Sequence, residues 1–128
     1  MAYTVSSLDV LGEGYGFRKI RKALGVTAFG VNAIVFPPHY EGPNHFHDTQ
    51  DELYFVHRGT ATFVVGGDEH TVPEGGLVHV ESTTPRSVSN LTGDDLVVLV
   101  VGGKGGYVER DGQLVGPEDL AKRQGLTP

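Results

Sequence analysis

Short apolar runs alternate with turn-forming residues along most of the chain. Clusters of Gly, Pro and Asp interrupt β-branched and aromatic segments at intervals of roughly 8 to 12 residues, which is typical of a sandwich or barrel rather than of βαβ units. The segments predicted to be strands are 27–36, 52–58, 60–65, 69–72, 77–81, 86–90 and 96–101. The hydrophobic pattern therefore predicts an all-β fold.

The turns between these strands have recognisable sequences. The proline pair at 37–38 ends the first strand, because proline cannot donate to a sheet ladder. The Gly-Gly-Asp sequence at 66–68 predicts a tight hairpin. We expect Gly59 to join segments 52–58 and 60–65 as a pair.

The two ends of the chain depart from the central pattern. Residues 17–24 fit a helical period and also fit a strand, so their conformation stays open. Segments 107–110 and 113–115 predict a small terminal hairpin around an Asp-Gly turn. Pro117 predicts the first turn of a short C-terminal helix, which has acidic residues at its start and basic residues near its end.

Length and composition limit the classes of protein to consider. A chain of 128 residues predicts one domain, spanning 1–128. The net charge of −6 argues against a nucleic-acid or anionic-membrane partner. No apolar run reaches the roughly 20 residues of a membrane helix, and the N-terminus lacks the features of a signal peptide, so we expect a cytoplasmic location. Without cysteine, thiolate metal sites and thiol catalysis are excluded.

Candidate chemistry is concentrated between positions 42 and 59. His45 and His47 lie two residues apart, so on an extended chain their side chains point the same way. Glu52 opens the next apolar strand and can be brought round to them by one turn. Two imidazoles and a carboxylate form the ligand set of a facial metal site. The alternative is a polar loop with surface histidines, which is common enough in proteins with six histidines. The spacing, the strand that follows and the turn at Gly59 together favour metal binding.

These residues resemble the first motif of the cupin superfamily, Gly-x5-His-x-His-x3,4-Glu-x6-Gly. Here the motif runs His45-x-His47-x4-Glu52-x6-Gly59, with His39 where the family has its leading Gly. The second cupin motif, Gly-x5-Pro-x-Gly-x2-His-x3-Asn, is degenerate in this chain. It falls on Gly75, Glu81, Thr83, Arg86 and Asn90, of which only the outer Gly and Asn match.

The resemblance implies a fold and a function. The expected fold is a double-stranded β-helix, a jelly-roll barrel over about 27–101 with a short C-terminal helix and a site at the barrel mouth. A divalent metal ion (Fe, Mn, Ni or Zn) would be held by His45, His47 and Glu52, and the chain would act on a small polar or anionic molecule. Small cupins commonly pair by sheet edges, so a homodimer is expected as well.

Arg86 replaces the fourth family ligand, a His, and a guanidinium cannot bind a metal. Three arrangements are open: Arg86 turns to solvent, orients an anionic substrate, or pairs with Glu52 in a metal-free pocket that binds a small molecule without catalysis. Tyr54 shares the side of its strand with Glu52, and is expected to donate a proton or to line the wall.

The other histidines are not assigned to the site. Val78 and Val80 are expected to face the core, which leaves His79 on the opposite side of its strand. His39 and His57 are expected at the surface, and His70 lies beside a hairpin turn.

Overall fold

The computed structural model describes residues 2–126, which form ten strands and two short α-helices. The strands are β1 (Gly16–Arg18), β2 (Gly30–Phe36), β3 (His45–His47), β4 (Asp51–Arg58), β5 (Ala61–Val65), β6 (Asp68–Val72), β7 (Leu77–Val80), β8 (Arg86–Ser89), β9 (Leu96–Gly103) and β10 (Gly112–Leu114). The helices are α1 (Ile20–Leu24) and α2 (Pro117–Gln124), and a single 3-10 turn covers Leu8–Val10.

The strands form two five-stranded antiparallel sheets. One has the order β1-β2-β9-β4-β7 and the other the order β10-β3-β8-β5-β6. The predicted all-β jelly roll with a short C-terminal helix is confirmed. Between residues 2 and 126, neither helix has the length and the apolar composition of a membrane span.

The core lies between the two sheets because alternate residues of each strand point inward. On β4, Tyr54 and Val56 are buried, whereas Leu53 is exposed on the outer face, as the alternation predicts. Tyr54 packs edge-on against Phe63 of the opposite sheet, with 5.2 Å between the ring centroids. Aromatic and β-branched side chains therefore fill the space below the candidate site.

The predicted pairing of 52–58 with 60–65 is wrong. At Gly59 the chain crosses from one sheet to the other, so β4 pairs with β7 and β9 while β5 pairs with β6 and β8. Gly59 has φ +85°, and a Cβ there would lie 2.5 Å from the carbonyl oxygen of Asp95. A side chain at position 59 would collide with this oxygen, so the chain can cross between the sheets here only with glycine. The predicted hairpin at 66–68 is confirmed, since β5 and β6 pair across it.

Near both ends of the chain the structure differs from the prediction, at segment 17–24 and at the hairpin predicted for 107–115. Residues 16–24 form both a strand and a helix, β1 followed by α1. Segment 107–110 is not a strand, and β10 pairs with β3 instead of closing a local hairpin. The predicted helix is present as α2, with Pro117 in its first turn.

The position of β3 is what builds the site. Its His45 pairs with Arg86 of β8 on one side, and all three of its residues pair with β10 on the other. The amide N of Asn44, just before β3, donates to Asp119 Oδ1 of α2 at 2.9 Å. The C-terminal segment therefore closes the sheet along the strand that carries the two histidines.

Candidate metal centre

His45, His47 and Glu52 converge on one point at the inner face of the barrel. One potential ligand atom from each lies within 4.8 Å of the others. The two imidazole rings are nearly perpendicular, at 81°, with 5.4 Å between their centroids. The turn at 48–50 brings β3 and β4 together, so the two histidines and the carboxylate meet as the spacing predicts.

Glu52 is a buried carboxylate whose orientation is set by its neighbours. Its Oε1 accepts a hydrogen bond of 2.5 Å from the Tyr54 hydroxyl and lies 3.1 Å from His47 Nε2. Burial alone would raise the pKa of Glu52, but the contacts with His47 and Tyr54 outweigh it and lower that pKa. The carboxyl group is therefore ionised at neutral pH, as a metal ligand must be.

The outer nitrogens of both imidazoles are engaged by acceptors. His47 Nδ1 lies 2.7 Å from Asp111 Oδ1, and His45 Nδ1 lies 3.3 Å from the carbonyl oxygen of Pro43. A carbonyl oxygen only accepts, so Nδ1 of His45 carries the proton. His47 faces an acceptor on both sides, but Nδ1 is closer to Asp111, at 2.7 Å, than Nε2 is to Glu52, at 3.1 Å, so the neutral ring carries its proton on Nδ1. Nε2 is then the atom that binds a metal, which is the arrangement typical of metal-bound histidine.

The two imidazoles differ in their affinity for a proton. Burial lowers the pKa of His45 below the ordinary 6.5, so this ring is neutral at pH 7. Burial also opposes charge on His47, but its hydrogen bonds to Glu52 and Asp111 outweigh burial and raise its pKa. A metal must therefore displace a proton from His47 more often than from His45.

Arg86 is fully buried, so it does not turn to solvent. Its Nη2 donates to the carbonyl oxygens of Glu81 at 2.8 Å and Val80 at 3.4 Å, and its Nη1 donates to that of Ser82 at 3.2 Å. Nη1 also lies 4.0 Å from Glu52 Oε1, farther than the His47 nitrogen does. The guanidinium thus holds the crossing between β7 and β8 and places a positive charge beside the carboxylate.

Asp111 is a site residue that the sequence does not predict, because the local Asp-Gly pattern indicates only a turn. It lies 64 positions from His47 along the chain. It also accepts hydrogen bonds from the amides of Thr49 and Gln50 and from the Gln50 side chain. No local pattern marks such a contact, because it depends on β10 pairing with β3.

The residues present fit a divalent metal ion. Two imidazole nitrogens and one carboxylate oxygen suit Zn, Fe, Ni and Mn, and leave positions open for a further ligand. Of the remaining histidines, His79 is exposed on the outer face of its sheet, beside Leu53, and is excluded from the centre.

Comparison with known families agrees with this geometry. Residues 33–102 match the family model described as "Cupin domain", which is more than half of the chain. The chain belongs to the cupin superfamily. No curated protein matches it significantly over its sequence.

Solved cupin-fold structures have the same architecture. A cupin protein from Bacteroides fragilis has a TM-score of 0.70 and 18% identity, covering 86% of this chain and 91% of its own. A sugar phosphate isomerase of the cupin superfamily from Silicibacter pomeroyi has a TM-score of 0.65 and 25% identity, covering 80% and 68%. The polyketide cyclase of Streptomyces resistomycificus has a TM-score of 0.68 and 19% identity, covering 84% and 77%.

Two departures from the cupin motifs, His39 and Arg86, and one position that matches, Asn90, have structural explanations. His39, at the position of the leading motif glycine, has φ 55°, so the backbone keeps the left-handed conformation that a glycine would adopt readily. Asn90, the last residue of the second motif, is buried and donates to the carbonyl oxygens of Pro37 and Asp94. Arg86 occupies the position of the fourth ligand next to His45 but bonds to backbone carbonyls.

Proposed function

We propose that this cupin holds a divalent metal ion, Fe, Mn, Ni or Zn, through His45, His47 and Glu52, and acts on a small polar or anionic molecule. The observation that carries the proposal is the orientation of the two imidazoles. Their Nδ1 atoms face outer acceptors, His47 Nε2 points at Glu52, and one ligand atom of each of the three residues lies within 4.8 Å of the others. Surface histidines in a polar loop would have no such partners.

The charges around the site support an anionic ligand. A divalent ion and Arg86 carry three positive charges, of which Glu52 and Asp111 cancel two. The remaining positive charge lies in a largely buried region, where charges interact more strongly than in water. Sugar phosphates, on which the isomerase from Silicibacter pomeroyi is named as acting, are small, polar and anionic.

The metal would supply Lewis-acid polarisation of a substrate oxygen. The side chains of the protein would hold the metal and orient its ligands and the substrate. Tyr54 donates to Glu52 and fixes the direction of its carboxylate, and the enclosed guanidinium of Arg86 acts on a bound anion through its charge. We therefore propose that the two residues predicted to be catalytic, Arg86 and Tyr54, contribute through positioning and field rather than through direct contact.

The test is metal analysis of protein purified without an affinity tag, followed by calorimetric titration with Fe, Mn, Ni and Zn. We expect near-stoichiometric binding that is lost in the double variant His45→Ala, His47→Ala. His79→Ala is the matched control, because it removes an imidazole on the outer face of the barrel. A wild-type protein that takes up none of the four metals would refute the proposal.

The alternative is a metal-free cupin in which Arg86 pairs with Glu52 and binds a small molecule without catalysis. The distances favour the metal hypothesis, since Glu52 Oε1 lies 3.1 Å from His47 Nε2 but 4.0 Å from Arg86 Nη1. An Arg86→His variant that gained tight metal binding absent from the wild type would favour the alternative.

The homodimer and the cytoplasmic location expected from the sequence stay predictions, as does the single domain over 1–128. Sedimentation or light scattering tests the first, and a single monomer mass at working concentration would contradict it.

A further inference from the structure

The C-terminal segment 111–119 lies beyond the residues that match the cupin domain, yet it flanks the ligand strand. Gly112 pairs with His47 across the sheet, and a Cβ at position 112 would lie 3.4 Å from the ring carbon Cε1 of His47. The segment therefore runs close beside the imidazole, and its Asp111 contacts the ring directly, in addition to closing the sheet.

Asp111 accepts four hydrogen bonds, divided between its two carboxylate oxygens. Oδ2 accepts from the backbone amides of Thr49 at 2.7 Å and Gln50 at 3.0 Å. Oδ1 accepts from His47 Nδ1 and from the Gln50 side-chain amide, both at 2.7 Å. The two backbone donors fix the carboxylate plane, so Oδ1 meets the imidazole at a set distance and direction. On the other side of the ring, Nε2 lies 3.1 Å from Glu52 Oε1, which already accepts from Tyr54. The shorter contact with Asp111 therefore decides which nitrogen of the neutral ring carries the proton.

We propose that Asp111 is a positioning residue that holds His47 with its proton on Nδ1 and so keeps Nε2 available for the metal. The inference rests on the proposed metal function and assigns it a residue outside the cupin motifs. It does not concern substrate contact, because Asp111 reaches the centre only through His47.

A second aspartate provides an internal comparison. Asp119 is buried, and its Oδ1 and Oδ2 accept from the backbone amides of Asn44 and Gly116 at 2.9 and 3.0 Å. Asp119 thus ties the same C-terminal segment to the residue before β3, as Asp111 ties it to the turn after β3. Of the two aspartates, only Asp111 contacts an imidazole. Asp119 therefore anchors the segment, whereas Asp111 both anchors the segment and orients the His47 ring.

Asp111→Asn replaces one carboxylate oxygen by an NH2 group of nearly the same shape. That NH2 cannot face the backbone amides of Thr49 and Gln50, which are donors with no alternative. It can face the side chains, because the Gln50 amide can rotate and the imidazole can move its proton. His47 Nδ1 then becomes an acceptor, and the proton occupies Nε2, the atom needed for the metal.

The experiment combines two measurements on the full chain. The ¹⁵N shifts of the His47 ring, recorded without metal at alkaline pH where the imidazole is neutral, report which nitrogen carries the proton. Calorimetric titration with Ni(II) or Zn(II) alone reports affinity. We expect Nδ1–H in the wild type and in Asp48→Asn, which changes an exposed carboxylate that accepts from the Gln113 side chain, but Nε2–H in Asp111→Asn, with metal affinity about 10- to 100-fold lower in Asp111→Asn.

The outcomes separate the two proposals. Unchanged ring shifts and unchanged affinity in Asp111→Asn, beside a wild type that binds metal, would overturn the role of Asp111. A proton on Nε2 of His47 in the wild type would also overturn the role of Asp111. This result needs no variant, so the proposal can be refuted even if Asp111→Asn does not fold. If the wild type bound no metal, the metal function and this role would both fall, whatever the ring shifts showed.

Discussion

The ligand strand β3 has two flanks that contribute opposite charges. On one side, β8 supplies Arg86, within the segment that matches the cupin domain. On the other side, β10 follows Asp111, outside that segment. Both charged groups are within hydrogen-bond or ion-pair distance of a proposed ligand, since Arg86 lies 4.0 Å from Glu52 and Asp111 2.7 Å from His47.

The two flanks use their charges differently. Arg86 directs its guanidinium at three carbonyl oxygens of the crossing between the sheets, so its main contribution is to the barrel. Asp111 directs a carboxylate at the imidazole, so its main contribution is to the site. Closeness to a ligand therefore does not by itself define a functional role. What the group donates to or accepts from decides it.

The largest effect that would test this comparison is expected from Arg86→Ala. One buried and two partly buried carbonyl groups lose their donors and a cavity is left, so we expect the free energy of unfolding to fall by about 3 kcal/mol. Metal affinity of the folded fraction should not fall, because the removed charge repels a cation. Denaturant unfolding and metal titration measure the two quantities.

Arg86→Lys is the control, since it keeps the charge but has a single ammonium group in place of the fork. It should recover only part of the stability lost in Arg86→Ala. A variant at position 86 that folded with wild-type stability but no longer bound metal would reverse the roles of the two flanks.

A smaller loss of stability is expected from Tyr54→Phe. Tyr54 contacts the ligand Glu52 and belongs to neither flank of β3. The change removes the hydroxyl that donates to Glu52, at a cost of about 1.5 kcal/mol, typical of a hydrogen bond to a charged group. The pKa of Glu52 should rise, because this bond lowers it. Carboxyl ¹³C shifts followed against pH measure the pKa.

Tyr40→Phe is the matched control for Tyr54→Phe, because the Tyr40 hydroxyl donates to the carbonyl oxygen of Lys122, away from the centre. It should leave the pKa of Glu52 and the metal affinity unchanged. Equal effects of the two substitutions on metal affinity would show that Tyr54 acts only through general stability.

The smallest change is expected from pH, in protein kept free of metal by a chelator. The pKa of His47 is raised, so His47 stabilises the folded state. This contribution to the free energy of unfolding is complete below the ordinary pKa of 6.5 and is lost as pH rises through the folded-state pKa. The pKa of Asp111 is lowered: burial would raise it, but hydrogen bonds from Gln50, His47 and Thr49 outweigh burial. Its contribution is present above the ordinary 3.8 and is lost as pH falls through the folded-state value.

Thermal unfolding against pH measures this linkage. His45, whose pKa is lowered, contributes in the opposite sense to His47, so the difference between wild type and His47→Gln isolates the His47 term. That difference should shrink as pH rises above 6.5, while metal affinity rises over the same range. A pH-independent difference would show that His47 has no charged partner in the folded protein.

Much of the site could be predicted from the sequence because it depends on local geometry. The two-residue spacing of His45 and His47, and of Glu52 and Tyr54, places each pair on one side of a strand wherever that strand lies. The same alternation correctly put Val78 and Val80 inward and His79 outward. The strand rhythm and the first cupin motif were enough for the fold.

Which strands become neighbours cannot be predicted from local sequence and depends on the folded barrel. In the folded chain, Gly59 is where the backbone passes from one sheet to the other, and the Arg86 guanidinium donates to backbone carbonyls. Asp111 contacts His47 although the two residues are 64 positions apart. Side-chain direction along a strand follows from the backbone of a few residues, whereas strand pairing depends on how the whole barrel closes. The ligands are therefore determined locally, and the groups that orient them are determined by the fold.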